Sequence, residues 1–117
     1  MAYKEMPVVR NGSLLLADST VHIQLDSAHW FAWLDEAHHF SYMSIRGSYR
    51  MTVRKEQRRH ELYWYAYLKE AGKLHNAYMG RSPRVTAERL EQIIQQLMEK
   101  SRQFRRQCQN EPKAERA

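Results

Sequence analysis

Three observations predict an α+β fold for this chain of 117 residues. Between Ser48 and Lys69, two runs alternate apolar with polar or phenolic side chains, the period that sends neighbours to opposite faces of a strand. A third short run, Lys73 to Met79, follows a glycine turn at Glu70–Ala71–Gly72. After Thr86, the residues Leu90, Ile93, Ile94, Leu97, Met98 and Phe104 recur at three- and four-residue steps, the apolar stripe of a helix. An antiparallel sheet of three to four strands packed on a C-terminal helix satisfies all three, with a short Trp-containing helix nearer the N-terminus.

The elements follow in order. Residues 1–20 read as an N-terminal arm, with Pro7 and Asn11–Gly12 as turn signals and a short apolar run at Ser13 to Leu16. Val21, Ile23 and Leu25 alternate with His22 and Gln24, a strand pattern. Asp26–Ser27 offers an N-cap, and Trp30, Trp33, Leu34 and Ala37 then sit at helical spacing. His39 to Ser44 alternates again, with Phe40 and Tyr42 on one side. Gly47–Ser48 turns the chain into a strand expected to end near Lys55, with Glu56 to His60 as a charged connection. The second strand is expected from Leu62 to Lys69, and the third ends at Gly80–Arg81–Ser82–Pro83. Thr86 caps the last helix, where Val85 staples onto Leu90. One α+β domain is thus expected over 21–109, with 48–104 as three strands plus helix and 110–117 as a disordered tail.

Alternation assigns the faces. Arg50, Thr52 and Arg54 share one side of the first strand, Tyr49, Met51 and Val53 the other. Tyr63, Tyr65 and Tyr67 oppose Leu62, Trp64, Ala66 and Leu68 in the second. If Met79 packs on the helix, Ala77 and His75 join it, and Asn76 and Tyr78 fall on the tyrosine side. The result is a sheet with one apolar face and one of guanidiniums and phenols.

Charge gives that second face a partner class. The net charge is +6 and the pI about 9.7, a balance suited to nucleic acid or an anionic surface. Residues 46–60 hold six basic groups against one acid, whereas residues 1–45 hold two against five. A basic excess inside a strand pair carries more meaning than a basic tail. Lys55, Arg58, Arg59 and His60 are expected to embrace phosphates, with Arg50, Arg54, Asn76 and the tyrosines supplying selectivity. A solvated sheet face would explain the same residue types, but three tyrosines in five residues are much apolar area for an idle surface. An RNA or single-stranded nucleic acid whose unpaired bases stack on the tyrosines, or contact with an acidic protein partner or a second copy, are the alternatives.

Other classes find less support. A single cysteine, Cys108, allows no internal disulfide. No run has the length of a membrane-spanning helix, and no basic-then-apolar N-terminal pattern marks a signal peptide, so a cytoplasmic setting is expected. Histidines 22, 29, 38, 39, 60 and 75 show no zinc-ligand spacing, and no phosphate loop or nucleophile motif is present. Neither an enzyme, a metal nor a cofactor is expected. Trp30, Phe31, Trp33 and Phe40 read as core.

The strings Tyr63–Trp64–Tyr65–Ala66–Tyr67–Leu68, Gly72–Lys73–Leu74 and Tyr78–Met79–Gly80–Arg81–Ser82, with Leu90 after Thr86–Ala87–Glu88–Arg89, resemble a segment at the start of large LuxR-type bacterial transcriptional regulators. There a Trp-rich stretch, here Trp30 to Leu34, precedes Phe40 and an Arg-Lys-Glu run, here Arg54 to Glu56. The resemblance covers roughly residues 21–100 and extends to small stand-alone proteins of bacteria rich in mobile elements. The order of three strands and a helix is also similar to the arm-binding domain of conjugative-transposon tyrosine recombinases and to plant ethylene-response-type domains, which insert a three-stranded sheet into the DNA major groove. That similarity implies Arg50, Arg54, Tyr63, Tyr65 and Tyr78 toward duplex DNA. The chain lacks the recombinase catalytic set, so it implies an accessory or regulatory DNA-binding protein rather than a recombinase.

Overall fold

A computed structural model describes residues 6–16, 22–45, 49–70 and 72–110. They form β1 (Val8–Arg10), β2 (Ser13–Leu15), β3 (His22–Gln24), α1 (Ala28–Glu36), β4 (His39–Met43), β5 (Arg50–Arg58), β6 (Glu61–Glu70), β7 (Lys73–Gly80) and α2 (Ala87–Asn110), with a 3-10 turn at Ser82–Arg84. The strands make one sheet in the order β3-β2-β1-β4-β5-β6-β7. All neighbours are antiparallel except β1 and β4. The α+β class with a C-terminal helix stands. The expected three- to four-stranded antiparallel sheet is corrected to seven strands in a mixed sheet.

Two of the extra strands, β1 and β2, come from the segment read as an arm, and β3 falls on the alternation read at Val21 to Leu25. Asn11 and Gly12 take positive φ, 53° and 79°, and turn β1 back on β2. Val9 and Leu14 are fully buried. Such short strands persist because the sheet buries them, since strand preference depends on packing more than on intrinsic backbone bias. The parallel partner of β1, at Val8–Ser41 and Val9–Tyr42, is distant in sequence and has no local signature. Of the remaining expectations, residues 1–5 and 17–20 of the arm, Val21, the Gly47–Ser48 turn and Ala71 lie outside the described residues. So does most of the expected tail, whose first residue, Asn110, instead ends α2.

One face of the sheet carries the core. Ser27 caps α1, its Oγ accepting from Trp30 N at 3.2 Å. Trp30 is fully buried, and its Nε1 donates to Val85 O at 2.8 Å, so the indole N–H has the partner that burial demands. Phe40 lies between Trp30 and Trp64, with centroids 5.5 and 5.4 Å away. This aromatic row joins α1 to the sheet. Leu90, Ile93, Ile94 and Leu97 of α2 are buried in the same core as Met51, Val53, Trp64, Ala66 and Leu68. The start of α2 is capped twice. Thr86 Oγ1 accepts from Arg89 N at 3.2 Å, and Asp26 Oδ1 accepts from Ala87 N at 2.9 Å. The Tyr42 hydroxyl donates to Glu91 Oε1 at 2.6 Å. Burial, then that carboxylate, pushes the phenol well above its usual range.

The β6–β7 register shifts by one residue between Trp64 and Tyr65, leaving Met79 as the extra residue of a bulge. Gly80 meets the bend with φ +113°. The bend brings Ser82 to Trp64, whose Nε1 donates to Ser82 Oγ at 3.0 Å. β7 ends the sheet, and two cations of α2 lie along it: Lys100 Nζ donates to Asn76 O at 3.0 Å and Arg89 Nη2 to Tyr78 O at 3.3 Å. No helix among the described residues is long and apolar enough to cross a membrane.

Candidate nucleic-acid interface

Pairing places the tyrosines in ladders on the sheet face opposite α2. Arg54 is opposite Tyr65, which is opposite Tyr78; Thr52 is opposite Tyr67, which is opposite Asn76; Glu56 is opposite Tyr63. Tyr63, Tyr65 and Tyr67 are half-buried, whereas Trp64 and Ala66 between them are fully buried on the other side. In β7, His75, Ala77 and Met79 are buried while Asn76 and Tyr78 are exposed. The sequence period therefore placed Arg50, Thr52, Arg54, Tyr63, Tyr65, Tyr67, Asn76 and Tyr78 on one face.

The rings pack on each other. Tyr78 meets Tyr65 edge-on at 5.5 Å and Tyr63 at 5.8 Å. Arg58 lies over the Tyr65 ring at 4.8 Å and Arg81 over Tyr63 at 5.7 Å. Each guanidinium is also held by a carboxylate: Arg58 by Glu56 at 2.6 Å and Arg81 by Glu61. The Tyr67 hydroxyl donates to the second oxygen of Glu56. That hydrogen bond first, then the one from Arg58, holds the Glu56 carboxyl below its ordinary range. Burial, then the Glu56 carboxylate, pushes the Tyr67 phenol up. By contrast, Arg50 and Arg54 are exposed and form no ion pair among the described residues.

Two sequence expectations need correction. β5 does not stop at Lys55 but runs to Arg58, in unbroken register from Thr52–Tyr67 to Arg58–Glu61. Glu56 to His60 is therefore not a loop: only Arg59 and His60 turn the chain, both left-handed at φ 53° and 76°. A two-residue hairpin of this twist favours Asn-Gly, so the sequence lacked its usual signal. Second, Lys55 does not join the arginine cluster. It has the parity of Met51 and Val53 and points to the helix side, where Nζ donates to Leu34 O at 2.8 Å and Asp35 O at 3.1 Å and sits 5.2 Å from the Trp64 ring. It closes the C-terminal end of α1, where carbonyls lack intrahelical donors. Burial lowers its pKa, against the nearby Asp35. Leu62 keeps the side of Trp64 that the period assigns it and is 53% exposed.

The longer hairpin also reveals groups that the sequence reading missed. Glu56 has the parity of Arg54 and Arg58, so extending β5 by three residues would have found it. Arg81 reaches Tyr63 from beyond the bulge and left no periodic signal. Beyond His39–Arg54 on one side and Gly80–Trp64 on the other, β5 and β6 have no further strand partner among the described residues. Glu56 to Tyr63 is thus a two-stranded ribbon that projects from the sheet. No group of three or more His, Cys, Asp or Glu side chains gathers among the described residues.

What this surface offers is a basic, aromatic face with two arginines that form no ion pair among the described residues, two arginines held over rings, and a two-stranded ribbon at one end. No family model, no curated protein and no solved structure matches the chain.

Proposed function

We propose that the chain is a non-catalytic DNA-binding protein that lays the outer face of β5, β6 and β7 on duplex DNA. The supporting observation is the row Arg50, Thr52 and Arg54 beside Tyr63, Tyr65, Tyr67, Asn76 and Tyr78, on the face away from α2. Guanidiniums neutralise phosphates and release their counterions, and phenol hydroxyls and amides add backbone hydrogen bonds. Arg50 and Arg54 are the ready contacts, Arg58 ends β5 and Arg59 sits in the turn beyond it, and Lys55 is assigned to α1 instead. An accessory or regulatory role in bacterial transcription or mobile-element traffic, in the cytoplasm, belongs to the same proposal and rests on the resemblances to LuxR-type regulators and integrase arm-binding domains.

Electrophoretic mobility shifts on random duplex DNA across a salt series test this reading. Affinity should fall steeply with salt, and Arg54→Ala should reduce the log–log slope by about 1. Binding that ignores salt would instead identify a protein-contact face. One observation favours a second reading: Tyr78 is 50% exposed, enough ring for an unpaired base to stack on. Displacement of the duplex by single-stranded oligonucleotide would select it.

A further inference from the structure

We propose that the ribbon Glu56–Tyr63 inserts tip-first into the DNA major groove, and that its apex, Arg59–His60, reads guanine-containing steps. The inference rests on the duplex-binding reading above and moves sequence selectivity from the sheet face to the hairpin end.

Shape is the first argument. Three residues on each strand, Glu56 to Arg58 and Glu61 to Tyr63, lie beyond the last partners of β4 and β7. At strand rise they reach roughly 10 Å, against a major groove roughly 8.5 Å deep and wide enough for a two-stranded ribbon. Exposure is the second. Gln57 and Leu62 face each other on one side of the ribbon, and Arg58 and Glu61 on the other. All four are exposed, as are Arg59 and His60. A flat partner would cover one side only, whereas a slot with two walls meets both sides and the apex.

Backbone conformation is the third, and it is independent of the other two. Arg59 and His60 hold left-handed φ values of 53° and 76°, where glycine and asparagine are at ease and larger side chains are strained. Residues kept in such conformations against local preference cluster at functional sites. Arginine at the apex supplies the fork that pairs bidentately with guanine O6 and N7, and His60 adds a ring N–H donor beside it. Arg50 and Arg54, further along the same strand, then lie where the flanking phosphates run.

The double variant Arg59→Asn/His60→Gly separates this role from folding, because Asn-Gly suits the turn better than the native pair. Duplex DNA selected from a random pool by the full chain is compared with a scrambled duplex and with the selected duplex carrying 7-deazaguanine. The wild type should prefer the selected site and lose on the order of tenfold in affinity with 7-deazaguanine. The variant should stay folded, lose the preference, and be indifferent to the base analogue. A variant that keeps the wild-type preference, or responds equally to 7-deazaguanine, overturns insertion while leaving the duplex-binding face intact. Preference for single strands, or for duplex RNA, whose major groove is too deep and narrow for side chains to read, overturns both.

Discussion

The two faces of β6 are built from one alternating run and held in different ways. Trp64, Ala66 and Leu68 are removed from water by α1 and α2. Tyr63, Tyr65 and Tyr67 are steadied by each other's neighbours: Arg81 over one ring, Arg58 over the next, and Glu56 on the third hydroxyl. The inner face depends on the helices. The outer face is already ordered with no described helix or strand above it. Order without cover lowers the conformational cost of meeting a ligand.

Substitutions at adjacent positions should expose that difference. Trp64→Ala removes a fully buried ring and its hydrogen bond to Ser82 and should cost about 3–5 kcal/mol in urea unfolding. Tyr65→Ala, one residue away, should cost only about 1 kcal/mol but weaken duplex binding. Similar losses at both positions would mean that the faces are not distinct. At the ribbon apex, Arg59→Asn/His60→Gly should raise stability by about 1 kcal/mol, read as a higher denaturation midpoint. Lys55→Ala should cost about 1 kcal/mol by uncapping α1 and leave DNA affinity nearly unchanged. A large affinity loss there would return Lys55 to the binding surface.

The smallest effect is an acid-dependent one. Glu56 releases its proton more readily when folded, because Tyr67 and Arg58 hydrogen-bond the carboxylate. Its stabilisation is therefore complete above the ordinary glutamate pKa, about 4.3, and fades as pH falls through the lower folded value. Glu56→Gln should be less stable than wild type at neutral pH by about 0.5 kcal/mol. Urea midpoints should converge as acid protonates the wild-type carboxyl.

Much of this was legible from the chain. Period two separated Tyr65 from Trp64 and, through Met79, set Asn76 and Tyr78 outward. Period 3.6 found the face of α2, and Ser27 and Thr86 marked both helix starts. What escaped had physical causes. The parallel contact of β1 with β4 joins distant residues, and no local pattern encodes it. The end of β5 was misplaced because Gln57 and Arg58 are poor strand signals and Arg59–His60 is an atypical turn. That single boundary grouped Lys55 with the charged connection, hid Glu56, and concealed the projecting ribbon.

The cations that α2 sets along β7 have a consequence for the molecule in crowded solution. A terminal strand with bare amides and carbonyls is a template on which further copies can add, the first step toward a fibre. Here Lys100 and Arg89 occupy the Asn76 and Tyr78 carbonyls. A second copy approaching that margin would meet like charge and find two acceptors already taken. At the opposite margin, β3 has only three residues, too short a rail to recruit another chain. A protein with tyrosines along one sheet face thus keeps its own copies from zipping together edge to edge.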